Sequence, residues 1–71
     1  MIRYAIKVTV HSHELYFGVN NQKLSYFGSP ITDEKIKKYG YKTERGAQYN
    51  LNWHKENTAH PVELVRLEVA E

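Results

Sequence analysis

Two segments decide most of what this chain can become. Near one end Ile2, Tyr4, Ile6, Val8 and Val10 alternate with Arg3, Ala5, Lys7 and Thr9; near the other, Val65, Leu67 and Val69 alternate with Arg66 and Glu68. Successive side chains of a strand point to opposite faces, so a period of two marks a strand with one buried face. The pattern predicts strands over residues 2–11 and 62–69. One amphipathic helical stretch, residues 44–56, lies between them. The expected fold is α+β: a small, mostly antiparallel sheet of three to four strands with one helix packed on one face, in the order β-β-(β)-β-α-β. If the last strand pairs with the first, residues near the two ends lie side by side.

The intervening segments are less uniform. Ser12 and His13 fit a tight turn. Residues 14–19 carry Leu15, Tyr16, Phe17 and Val19 and read as the second strand of a hairpin. Gly18 within it marks a bulge or the close approach of another backbone. Asn20, Asn21 and Gln22 are a second turn signal. Residues 24–27 fit a further short strand, or a continuation of the second one, ended by Gly28, Ser29 and Pro30.

Residues 31–42 admit two readings. Thr32, Asp33 and Glu34 resemble a helix cap and first turn, Lys37 and Lys38 a last turn, and Gly40 a stop. In the other reading residues 35–42 form a strand, with Lys35, Lys37, Tyr39 and Tyr41 on one face and Lys38 and Lys42 on the other. A strand near residues 37–42 is favoured, because Thr43 is a good cap for a helix that begins directly after it. In that helix Ala47, Leu51 and His54 follow i, i+4, i+7 spacing. Tyr49 and Trp53 add an i, i+4 pair on an adjacent stripe, so that one broad apolar face is expected. Tyr4, Phe17 and Trp53 are expected in the core.

A chain of 71 residues makes one domain, 1–71, and a domain of this size buries only about 60% of its unfolded surface. There is no cysteine, which fits a reducing cytosol and excludes disulfides and thiolate metal sites. Arg3 and Lys7 interrupt any signal-peptide core, and no run approaches the roughly 20 apolar residues that span a bilayer. The expected setting is cytoplasmic, with no membrane contact. The formal charge is only +2, but its distribution is uneven. Lys35, Lys37, Lys38, Lys42 and Arg45 fall within eleven residues, offset there by Glu44, whereas Glu63, Glu68 and Glu71 face only Arg66 near the C-terminus.

Three side-chain sets bear on chemistry. His11 and His13 have the i, i+2 spacing of two ligands on one strand face, with His54 or His60 to complete a site. No acidic or cysteine ligand stands at motif spacing beside them, so they read as polar turn residues and no metal or other cofactor is expected. Ser12 next to two histidines lacks the orienting third group and the pocket that a nucleophile needs, and no catalytic activity is expected. The third set is aromatic: six tyrosines, two phenylalanines and one tryptophan. Tyr16, Tyr26, Tyr39, Tyr41 and Tyr49 exceed what so small a core can bury. They pack across strands, or they serve a protein or nucleic-acid surface.

The run Tyr39-Gly40-Tyr41-Lys42-Thr43-Glu44-Arg45-Gly46-Ala47, a strand entering a helix through K-T-x-x-G-A, resembles small proteins of phages and prophages of Gram-positive bacteria. A short antiparallel sheet followed by a helix also resembles the arm-type DNA-binding domains of phage integrases and AP2-like domains. That resemblance implies a sheet face set in the major groove. This chain differs by its added C-terminal strand. On the basic–aromatic row the leading expectation is a non-enzymatic module that binds nucleic acid. Lys35, Lys37, Lys38, Lys42 and Arg45 would meet phosphates, and Tyr39 and Tyr41 would stack or pack. The alternative is a protein–protein module, either self-associating or capturing a host protein as some small phage proteins do.

Overall fold

The computed structural model describes residues 1–20, 23–28 and 30–70. Asn21 and Gln22 of the expected second turn, Ser29 of the expected strand end and Glu71 of the acidic segment lie outside the described residues. Four strands, β1 (Ile2–Val10), β2 (His13–Asn20), β3 (Lys23–Tyr26) and β4 (Val62–Glu68), form one antiparallel sheet in the order β3-β2-β1-β4. Two helices, α1 (Asp33–Tyr39) and α2 (Glu44–Asn57), complete the fold. The class is the expected α+β, with two helices where one was expected.

The β1–β2 hairpin closes on the pair Val10 and His13. His11 and Ser12 between them have φ of 48° and 71°, the left-handed backbone whose twist suits a two-residue hairpin. The turn therefore sits one residue earlier than Ser12–His13. On its other side β1 pairs with β4 from Ile2 opposite Glu68 to Val8 opposite Val62. Beyond the ladder the Val69 N–H donates to the Met1 carbonyl at 2.9 Å, which places these two ends together as expected.

The alternation in β1 sorts the apolar residues into two cores. Ile6 and Val8 pack with Tyr41, Ala47 and Leu51 under α2. Ala5 packs with Phe27, Ile36 and Val69 under α1. Ala5 and Ile6 are consecutive, so they point to opposite faces, and the two helices cover opposite sides of the sheet. The favoured strand over residues 37–42 is thus replaced by the end of a helix. Local chemistry explains why. The Thr32 hydroxyl accepts from the Lys35 N–H at 3.3 Å, and the Gly40 N–H donates to the Ile36 carbonyl at 2.8 Å. Asp33 and Glu34 stand at the positive end of the helix dipole, and Lys37 and Lys38 at its negative end.

α1 docks where a side chain is missing. A Cβ on Gly18 would lie 2.0 Å from the Tyr39 carbonyl oxygen and 2.4 Å from the Phe27 ring. Gly18 is the close backbone approach: β2–β3 pairs in register through it, from Phe17 opposite Tyr26 to Val19 opposite Leu24, and β1–β2 pairs in register up to Phe17.

Leaving α1, the chain passes from one face of the sheet to the other through the plane of the strands. Tyr4 and Tyr41 exchange backbone hydrogen bonds, Tyr4 N–H to Tyr41 O at 2.9 Å and Tyr41 N–H to Tyr4 O at 2.8 Å. These bonds leave β1 on the side away from β4, beyond the last β1–β2 pair at Ile6 and Phe17. The crossing thus satisfies backbone groups of β1 that β2 does not reach. Gly40 makes room for it: a Cβ there would sit 2.6 Å from Arg3 Cβ.

Candidate nucleic-acid interface

The seven residues expected to meet nucleic acid do not share a sheet face. Tyr41 is only 6% exposed and belongs to the core under α2, where burial raises its phenol above the usual range. It cannot stack on a base. Tyr39 is half-buried, with its ring 6.0 Å from that of Phe27. The Lys38 ammonium lies 5.3 Å from the centre of the Tyr39 ring, a cation–π contact on its outer side. Lys35 folds back to donate to the Pro30 carbonyl at 3.1 Å.

The other cations are presented to solvent. Lys37 and Lys38 stand in the last turn of α1, Lys42 in the crossing segment and Arg45 in the first turn of α2, and all four are exposed. Among the described residues no carboxylate pairs with any of them, whereas Lys7 and Arg66 are ion-paired. Arg3 adjoins the same place: its stem abuts Gly40, one guanidinium N–H donates to the Ile2 carbonyl at 3.0 Å, and its Nε is buried without a partner among the described residues. The alternation of β1 hid this role, because Arg3 is brought to the crossing by a glycine far along the chain.

The sheet face itself is not basic. Where α1 leaves it open, Lys7 lies between Glu63 at 3.0 Å and Glu14 at 3.9 Å, and the Tyr16 hydroxyl donates to Glu14 at 3.1 Å. Hydrogen bonding to Glu63 raises the Lys7 ammonium above its usual range. Two acids to one base would repel phosphate, so the major-groove sheet geometry has no counterpart here.

The aromatic expectation needs a second correction. Ala47, Leu51 and His54 are buried as expected, but Tyr49 is 77% and Trp53 is 51% exposed. Two residues along a helix turn it by about 200°, so neither Tyr49 nor Trp53 shares a stripe with the residue two places before it, Ala47 or Leu51. Instead the four-residue spacing aligns Arg45, Tyr49 and Trp53 along the outer side of α2. Trp53 meets His54 edge-on at 5.2 Å; His54 lies 5.6 Å from Phe17, and Phe17 lies 5.6 Å from Tyr26. His54 Nε2 is buried with no partner among the described residues, and burial lowers the imidazole below its ordinary value.

The turn histidines do not converge with these groups. His11 meets His60 edge-on at 6.1 Å, and among the described residues no three His, Cys, Asp or Glu side chains stand together as metal ligands. No helix among them is long and apolar enough to cross a membrane. No family model matches the chain, and neither does any curated protein or solved structure.

Proposed function

We propose that this protein is a small, non-enzymatic binding module that grips nucleic acid by its phosphates at the crossing between α1 and α2. One observation carries the reading: Lys37, Lys38, Lys42 and Arg45 are exposed within nine residues and have no acidic partner among the described residues. Four cations against the single acid Glu44, held on two helix ends and a short, hydrogen-bonded connector, form a local positive field that phosphate neutralises. Lys35, bonded to Pro30, and Tyr39, packed on Phe27, are not among these free cations and rings.

Fluorescence anisotropy with a labelled oligonucleotide tests this. If four phosphates are neutralised, raising salt from about 50 to about 200 mM weakens binding roughly 50- to 150-fold. The double variant K38E/K42E abolishes most of the affinity while circular dichroism stays native. Binding that ignores salt, or survives the double charge reversal, removes the proposal.

A second reading rests on β3. It is a sheet edge, and its Leu24 and Tyr26 are about half exposed, at 47% and 51%. An open edge with apolar side chains is a site for another chain, either a second copy or a host protein of the kind small phage proteins capture. Light scattering that shows a dimer lost in Tyr26→Lys would favour it; a monomer at all concentrations would leave only a different partner.

A further inference from the structure

We infer that the nucleic acid is single-stranded and that its bases seat on Tyr49 and Trp53 along the outer side of α2; this rests on the phosphate-binding reading above. Arg45 joins the two features. It is the last cation of the crossing and the first member of the row Arg45, Tyr49, Trp53, so a strand whose phosphates lie on Lys42 and Arg45 has its next bases beside two exposed rings. Successive members of that row rise by about 6 Å along the helix. A flexible single strand can splay its bases to that spacing, whereas a duplex keeps its bases paired inward.

The rings are shaped for this use. Trp53 meets the His54 ring at an interplanar angle of 89° and is still 51% exposed, so about half of its surface is open to a base. Shallow clefts flank Tyr49, one lined with Arg45 and Gln48, the other with Asn52 and Trp53. The Gln48 amide donates to the Asn52 side-chain oxygen at 3.3 Å, so the polar groups between the rings are ordered and keep further donors and acceptors for base edges. Glu44 lines the first cleft and Glu56 the second. Stacking on an aromatic ring tolerates any base, so this surface prefers single strands without a strict sequence.

Trp53 is the only tryptophan, which makes it an internal reporter. Titration with an oligothymidylate of roughly twelve nucleotides, within the usual span of single-strand sites, should quench Trp53 fluorescence. A hairpin duplex of equal charge should bind at least about tenfold more weakly, and Y49A should cost about tenfold in affinity for the single strand and nothing for the duplex. Tyr49 is 77% exposed, so its loss leaves the fold intact, as circular dichroism would confirm. Equal affinity for both forms, with Y49A neutral and Trp53 unquenched, overturns this inference and leaves the cationic crossing standing. No binding of either form overturns both. Burial of Trp53 by self-association in the absence of nucleic acid assigns the row to a second copy of the chain and overturns the inference as well.

Discussion

The two helices begin alike and dock differently. Each opens with a threonine whose hydroxyl accepts an N–H three residues on, at 3.3 Å in α1 and 3.2 Å in α2. Each carries acid in its first turn and base in its last. Yet α1 spans 7 residues and buries Ile36 alone, while α2 spans 14 and buries Ala47, Leu51 and His54. α1 is seated by the absence of an atom, the missing Cβ of Gly18 beneath the Tyr39 carbonyl. α2 is seated by side chains that fill space. A backbone-to-backbone contact cannot give way by changing rotamer, whereas a side-chain contact loses strength in proportion to the volume removed.

The sharpest way to break this contrast is Gly18→Ala. A methyl group 2.0 Å from a backbone oxygen forces α1 off the sheet, and a loss of about 3 kcal/mol is expected in urea unfolding. A fully stable variant would show that α1 yields without cost. Leu51→Ala tests the other side: about 2.5 kcal/mol should go, with α2 still seated over the smaller residue. The caps come next. Thr43→Ala should cost about 1 kcal/mol and lower the overall midpoint. Thr32→Ala removes the same bond from a helix with one buried anchor, so its first effect should be local, seen as faster amide exchange at Lys35 and Ile36. Equal global effects of the two cap variants would mean that both helices are held alike.

The smallest change at neutral pH is expected from His54. Burial lowers its folded pKa beneath the ordinary value near 6.5, so below that value the unfolded chain takes up the proton first. Stability should therefore be fully present above about 6.5 and fall as pH drops from there toward the lowered value. His54→Leu should flatten this part of the stability–pH curve. A slope unchanged in the variant would show that His54 does not carry it.

Much of this architecture was legible in the residues, and the errors are specific. The period-two runs at β1 and β4 agree with the strands to within a residue or two, because apolar side chains of both faces pack under the helices and a slip of one residue would exchange the two cores. α2 was readable from Thr43 and from Ala47, Leu51 and His54. α1 was not, since a segment with one buried apolar side chain fits a period of two about as well as 3.6; the Thr32 cap and the lysines of the last turn were the better guide. Tyr41 followed the alternation of a strand that does not form, and its burial depends on the pairing with Tyr4, which no local pattern announces. Within the candidate site, the four exposed cations are evident in the sequence as a cluster, but the strand reading divides Lys37 from Lys38 and Lys42 across two faces. The exposed ring pair was missed because i, i+4 spacing links Tyr49 to Trp53 without linking either to the buried stripe.

The passage of the chain through the sheet at Tyr41 has a mechanical consequence. The strand pair beside it acts as a grommet: the thread between the helices is fastened where it goes through, so a pull on one layer is taken up by β1 before it reaches the other. The start of α1 can fray on its own, but neither layer can be lifted away as a separate lobe while Tyr4 keeps its grip.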